Sequence, residues 1–234
     1  MRVSIRPVAD FTLFGETLWA SPYTFSSLVA LREKKVAFDV VEVELAAGAH
    51  QRSDYTAPSI TGRIPSLEHD GFRLAESSAI AEYLDEILPP PRFPRLFPEA
   101  VRDRARARQV MAWLRSDLGA LRDERSTMTM FYYRSETRPL TAQAERDVQR
   151  LLRVVEQLVP TSGGPLFGAW SLVDSELAFM LHRLHLSGDP LPERLEAYAR
   201  AQWARPSVRE FVDHLRPAAV PETYWAISGT PRPA

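Results

Sequence analysis

The sequence predicts an α+β protein of two modules, a βαβ–ββα unit followed by an all-helical unit. Three observations carry this. The first third of the 234-residue chain alternates strand-like and helix-like segments, only helical patterns run from Glu99 to the region of Leu215, and a proline-rich stretch from Leu88 to Pro98 separates the two. The expected boundaries are 1–88 for the first module, 89–98 for the linker, 99–216 for the helical module and 217–234 for a tail.

The elements follow in order. "FTLFGE" (Phe11 to Glu16) is a short β-prone run. "PYTFSSLVALREKK" places Phe25, Leu28, Val29 and Leu31 at helical spacing, with Lys34 and Lys35 at the end that favours cations. "AFDVVEVEL" alternates Phe38, Val40 or Val41, Val43 and Leu45 with acidic residues, a strand period that closes a βαβ unit. After a Gly/Ser/Thr-containing stretch from Ala46 to Gly62, "IPSLEHDGFRLAE" reads as two strands turned at Asp70-Gly71. The helix "SSAIAEYLDEIL" then stops at Pro89-Pro90-Pro91, because proline cannot continue the hydrogen-bond ladder. In the second module "RPLT", "PTSGGPLFG" and "GDPLP" separate the helices. The tail "PAAVPETYWAISGTPRPA" reads as a segment that crosses the surface or frays, with Tyr224 and Trp225 as candidate anchors.

Composition excludes several classes. A net charge of -1, from 29 basic and 30 acidic residues, provides no global field for a polyanion. The arginines of "VRDRARARQ" (Arg102, Arg104, Arg106, Arg108) step about 200° per two residues on a helix and form no stripe. No nucleic-acid partner is expected. With no cysteine, the chain has no thiolate nucleophile, disulfide or thiolate metal site. No run approaches the roughly 18 apolar residues of a membrane span, and the N-terminal segment lacks an apolar leader core, so a soluble, cytoplasmic protein without a membrane partner is expected.

The element order, with a proline opening the third strand, is thioredoxin-like, and the appended helical module makes the chain resemble a soluble glutathione transferase. Ser21-Pro22-Tyr23 resembles the hydroxyl motif that opens the first helix in many bacterial members. "RIPSL" resembles the family's "xVPxL" with its cis proline, with Ile64 in place of valine before Pro65. "LAESSAIAEYL" resembles the "ESxAIxxYL" segment that holds the γ-glutamyl end of glutathione, and "FGAWSLVDSELAFM" resembles the folding motif of the helical module, with Val173 replacing the commoner alanine. The matches run in order from residue 11 to about 180. "SSAIAEYL", "RARARQ", "AWLRSDL" and His50 further resemble the bacterial YfcF-type glutathione transferases, with a serine-type active site.

The resemblance implies glutathione as co-substrate and a homodimer, without a metal. A free thiol ionises near pH 8.5, and the thiolate is the nucleophile. A serine hydroxyl donating to that sulfur contributes about 1.5–3 kcal/mol and a helix N-terminus about 0.3–1. Together these lower the thiol pKa by roughly one to three units at 1.36 kcal/mol each. Ser21 is the candidate catalytic donor, with Thr24, Ser26 and Ser27 as alternatives; Ser21 before Pro22 is equally a plain N-cap. In the glutathione-binding set, Ile64-Pro65 would offer backbone N–H and C=O to the cysteinyl unit, and Glu76 and Ser77 would hold the γ-glutamyl end. His50 and Arg63 would face the glycine carboxylate. A strand-start proline and a helix N-cap are the plain structural readings of Pro65 and of Glu76-Ser77.

Trp113, Arg115 and Asp117 are candidates for the second-substrate site in the helical module, against core packing and surface ion pairing. Ser171 and Asp174 have capping-box spacing and are assigned to folding. His182 and His185 share a helix face without an evident third metal ligand. The expected reaction is thiolate attack on a small electrophile, or on a hydroperoxide as a glutathione-dependent peroxidase, in a detoxification or oxidative-stress role. The alternatives are a glutathione-dependent disulfide reductase and a non-catalytic interaction module of the same fold. No "GxSxG" supports a hydrolase.

Overall fold

The computed structural model describes residues 10–133, 138–218 and 220. The expected leader-free N-terminus before residue 10 and the anchors Tyr224 and Trp225 lie outside the described residues.

Strand β1 (Phe11–Glu16) is followed by helix α1 (Pro22–Glu33) and strand β2 (Phe38–Val43). Next come the short helix α2 (Ser53–Thr56), strands β3 (Ser66–His69) and β4 (Phe72–Ala75), and helix α3 (Ser77–Ile87). The sheet order is β2-β1-β3-β4, with β1 and β2 parallel and the other pairs antiparallel. Asp70 and Gly71 both have positive φ, at 49° and 78°, the pairing that a two-residue hairpin turn needs. On β2, Val40 packs against the core and Val41 is exposed, which decides the alternation that the sequence left open. The Ala46 to Gly62 stretch is not irregular throughout: two single 3-10 turns precede α2.

The second module is helical: α4 (Val101–Ser116), α5 (Gly119–Glu124), α6 (Thr127–Phe131), α7 (Ala142–Leu158), α8 (Leu172–His185), α9 (Glu193–Trp203) and α10 (Pro206–Val212). The capping box opens α8. The Ser171 N–H donates to Asp174 Oδ2 at 2.9 Å, and Asp174 Oδ1 accepts from Leu166 N–H and the Tyr198 hydroxyl, each at 2.9 Å. The buried aspartate thereby joins the incoming loop to α9. His182 is also structural: its Nδ1 lies 2.9 Å from the Ala178 carbonyl and its ring stacks on Trp203 at 3.9 Å.

The two modules share one hydrophobic core. Phe25 of α1 meets Phe179 of α8 at 4.7 Å and Phe211 of α10 at 5.4 Å between ring centroids. Lys34 does not serve as a solvated helix-end cation. It is fully buried, and its Nζ donates to Asp85 Oδ1 at 2.7 Å and to the Leu88 and Pro94 carbonyls at 2.8 Å each. Asp85 also accepts from Leu96 N–H, so one buried ion pair fixes the ends of α1 and α3 to the linker.

Candidate functional site

Ser21 sits where β1 ends and α1 begins. Its backbone is extended (φ -68°, ψ 123°), and its Oγ accepts from the N–H groups of Tyr23 and Thr24 at 3.2 Å each. Pro22 takes the first helical position, which needs no N–H donor. The cap occupies the lone pairs of the hydroxyl and leaves its O–H free to donate into the cleft that Ser21 lines. Capping and donation are therefore compatible at this one oxygen. The other hydroxyls turn inward: Thr24, Ser26 and Ser27 are buried, and Ser26 donates to Glu176 at 2.5 Å.

Beneath Ser21 lies Glu16, which sequence reading placed only as the end of a strand. It is 4% exposed, and its Oε1 accepts from the N–H groups of both Ala20 and Ser21 at 2.7 Å. Its Oε2 is buried without a hydrogen-bond partner among the described residues. Burial pushes the carboxyl up to about 7, against the pull of the backbone donors.

The cleft above Ser21 has a volume of about 440 Å³, and its walls include His50, Arg63 and Ile64 from the first module and Arg122 and Arg183 from the second. It shares Tyr23, Arg63 and Ile64 with an adjoining recess of about 340 Å³ bounded by Pro65, Glu76, Ser77 and Arg115. The Ile64–Pro65 peptide is cis. Among the described residues neither the N–H nor the C=O of Ile64 has a hydrogen-bond partner, so this short edge is open to an extended chain. Glu76 precedes α3 at φ 71° and ψ 110° and makes no side-chain cap. A non-glycine residue held there is strained by about 1–3 kcal/mol. Ser77 is the first residue of α3, and its Oγ accepts from Arg115 Nη2 at 3.3 Å.

His50 is half-buried, and burial followed by the charge of Arg63 lowers its pKa, favouring neutral imidazole. Of the three second-substrate candidates, only Arg115 reaches the cleft, where it also forms a bidentate ion pair with Glu176. Trp113 and Asp117 do not line it. Trp113 Nε1 donates to Asp117 Oδ2 at 2.9 Å, and Arg150 of α7 donates to the same oxygen at 2.7 Å. These residues lie two positions either side of Arg115, on the opposite face of α4. Tyr23, Arg122 and Arg183 are site residues that sequence reading missed. Tyr23 stood inside the quoted motif, whereas nothing local distinguishes the two arginines.

Residues 9–86 match the family model for the glutathione S-transferase N-terminal domain, and residues 100–215 match a model for its C-terminal domain. Among solved structures, a glutathione transferase homolog from Burkholderia GL BGR1 with bound glutathione is 34% identical at a TM-score of 0.70, covering 87% of this chain and 96% of that one. A theta class glutathione S-transferase from Xanthomonas axonopodis pv. citri shares the fold at a TM-score of 0.71 and 23% identity, over 89% of this chain and 99% of that one. Glutathione S-transferase F6 of Arabidopsis thaliana is 36% identical over 77 residues, 33% of this chain and 36% of that protein. Maleylacetoacetate isomerase of Dictyostelium discoideum is 36% identical over 107 residues, 45% of this chain and 48% of that protein. The matched stretches thus span about a third and about half of these two curated relatives.

Proposed function

Because this chain belongs to the glutathione S-transferase family, we propose that it binds glutathione between Ser21 and Ser77 and activates the thiol for attack on a small electrophile. The observation that carries the reading is the Ser21 hydroxyl, which caps α1 with its lone pairs and keeps a free O–H on the wall of the cleft. Residues 1–88 form the glutathione-binding unit in this reading, and 99–216 supply the second-substrate wall.

Ile64 pairs through its backbone with the cysteinyl unit of glutathione, seated against cis Pro65. Glu76 accepts from the γ-glutamyl ammonium, and Ser77 donates to the adjacent carboxylate at the N-terminus of α3. Arg63 takes the glycine carboxylate, and neutral His50 donates a hydrogen bond beside it. Ser21 then donates to the sulfur, which stabilises the anion, and the thiol proton leaves to solvent. The site needs no base in that scheme. Attack on a hydroperoxide fits the same site: the sulfur takes the terminal oxygen as the O–O bond breaks, the alkoxide leaves as alcohol with a proton from solvent, and a second glutathione converts the sulfenic acid to the disulfide with loss of water.

The resemblance to bacterial YfcF-type enzymes supports placement in that subgroup, a cytoplasmic location and a homodimer, which sedimentation at micromolar concentration tests. The reading itself is tested by calorimetry with glutathione and with S-hexylglutathione, whose peptide contacts do not depend on a free thiol. Both should bind; no heat and no thermal shift at millimolar ligand would overturn it.

A further inference from the structure

Two arginines on the helical side of the cleft have no carboxylate partner among the described residues. Arg183 of α8 is 5% exposed, and its Nη1 donates to the carbonyls of Arg125 at 2.8 Å and Arg122 at 3.4 Å. Arg122 of α5 is half-buried, and its Nη1 donates to the Arg115 carbonyl at 3.0 Å. Among the described residues the Nε of each is buried without an acceptor, and Nη2 of each makes no bond. Their neighbours are paired: Arg115 with Glu176, Arg125 with Asp189, and Arg150 with Asp117 and Asp147.

A cation this deeply buried is costly without an anion, and a second cation beside it adds to the cost. Burial and the Arg122 charge together lower the Arg183 pKa to about 10. The acids at hand do not neutralise the pair. Among the described residues Asp123 is exposed and forms no ion pair with either arginine, Glu16 commits one oxygen to backbone N–H groups, and Glu176, which lines a recess with both arginines, is taken up by Arg115 and Ser26. The remaining charged groups of this cleft, His50 and Arg63, lie on its other wall. Both arginines line the same cleft as Ser21, so an anion seated on them would stand beside the proposed thiol position.

We infer that Arg122 and Arg183 form the anion end of the second-substrate site, and that the electrophile of this enzyme carries a carboxylate. This rests on the glutathione site proposed above. It separates the two carboxylate-binding tasks of the cleft: Arg63 on one wall serves glutathione, and the arginine pair on the other serves the electrophile.

The test compares 4-chloro-3,5-dinitrobenzoate with 4-chloro-3,5-dinitrobenzamide. In both, a C–S bond forms at the ring carbon, the C–Cl bond breaks, chloride leaves and the thiol proton passes to solvent. With each kcat/KM divided by its uncatalysed rate constant, the wild type should favour the carboxylate at least about tenfold, as loss of a charge-assisted hydrogen bond implies. R122M should lose most of that preference, and R122K should retain more of it than R122M. R183M is a second variant, accepted only if its melting curve remains cooperative. A normalised wild-type ratio near one overturns the proposal without any variant. So does an R122M that raises KM for glutathione and slows both electrophiles equally, because Arg122 would then serve glutathione. Calorimetry separates the two readings: without glutathione binding the site itself is wrong, whereas binding with a ratio near one removes only the arginine assignment.

Discussion

The Glu16 carboxylate accepts the backbone N–H of Ser21 at 2.7 Å, so a buried acid holds in place the residue whose hydroxyl faces the cleft. The same oxygen takes the Ala20 N–H, which fixes the turn between β1 and α1 at two successive residues.

This arrangement has a pH signature. The Glu16 carboxyl is raised from 4.5 to about 7, so its contribution to stability is fully present below about pH 4.5 and is lost as pH rises through 7. His182 has the opposite sign: lowered from 6.5 to about 4 by burial, it contributes stability above pH 6.5 that is lost as pH falls through 4. Each amounts to on the order of 3 kcal/mol, and over this window the two largely cancel. Urea titrations from pH 4.5 to 6.5 should give a shallow wild-type profile, with E16Q gaining stability as pH rises and H182Q losing it. Parallel slopes in all three proteins would refute the assignment.

Ser21→Ala should remove both roles of the hydroxyl, and Ser21→Gly chiefly one. Alanine at an N-cap costs about 1 kcal/mol, but glycine only a few tenths. Neither can donate to a thiolate, so both should raise the pKa of bound glutathione by about one to two units and slow turnover at neutral pH roughly ten- to a hundredfold. Thr24→Ala and Ser26→Ala serve as controls. Wild-type kinetics and pH profile in Ser21→Gly would show that the hydroxyl is only a cap.

Glu76 should trade stability for binding. Its φ of 71° suits glycine, so Glu76→Gly should hold or raise the melting temperature while weakening glutathione binding. Ser77→Ala should also weaken binding, with little loss of fold. A Glu76→Gly protein that melts well below wild type and binds glutathione normally would return the residue to a purely structural role.

Lys34→Met should be strongly destabilising. Removing one partner of a buried ion pair strands the other, at a cost of roughly 3–5 kcal/mol, and here the Leu88 and Pro94 carbonyls also lose their donor. Lys34→Met/Asp85→Leu should recover much of the loss, read from urea midpoints. A single variant within 1 kcal/mol of wild type, by the same magnitude, would mean that the pair contributes little.

Features whose signals are local were legible in the order of residues alone. Proline at the first helical position fixed the start of α1, Asp70-Gly71 fixed the hairpin, the proline run ended α3, and Ser171 with Asp174 opened α8. Each works through a backbone group within a few residues, so neighbouring letters suffice. What Lys34, Glu16, Arg122 and Arg183 do was decided only by tertiary structure. Lys34 reads as a helix-end cation until Asp85 and Pro94 close over it, and nothing local marks Arg122 or Arg183 until α5 and α8 place them on one wall. The same holds within "AWLRSDL", where residues two apart in sequence face opposite sides of α4, and the partners Glu176 and Arg150 decide that Arg115 reaches the cleft while Trp113 and Asp117 do not. Periodicity gives the faces of a helix; which element, and which charge, meets each face depends on chain segments 33 to 150 residues away.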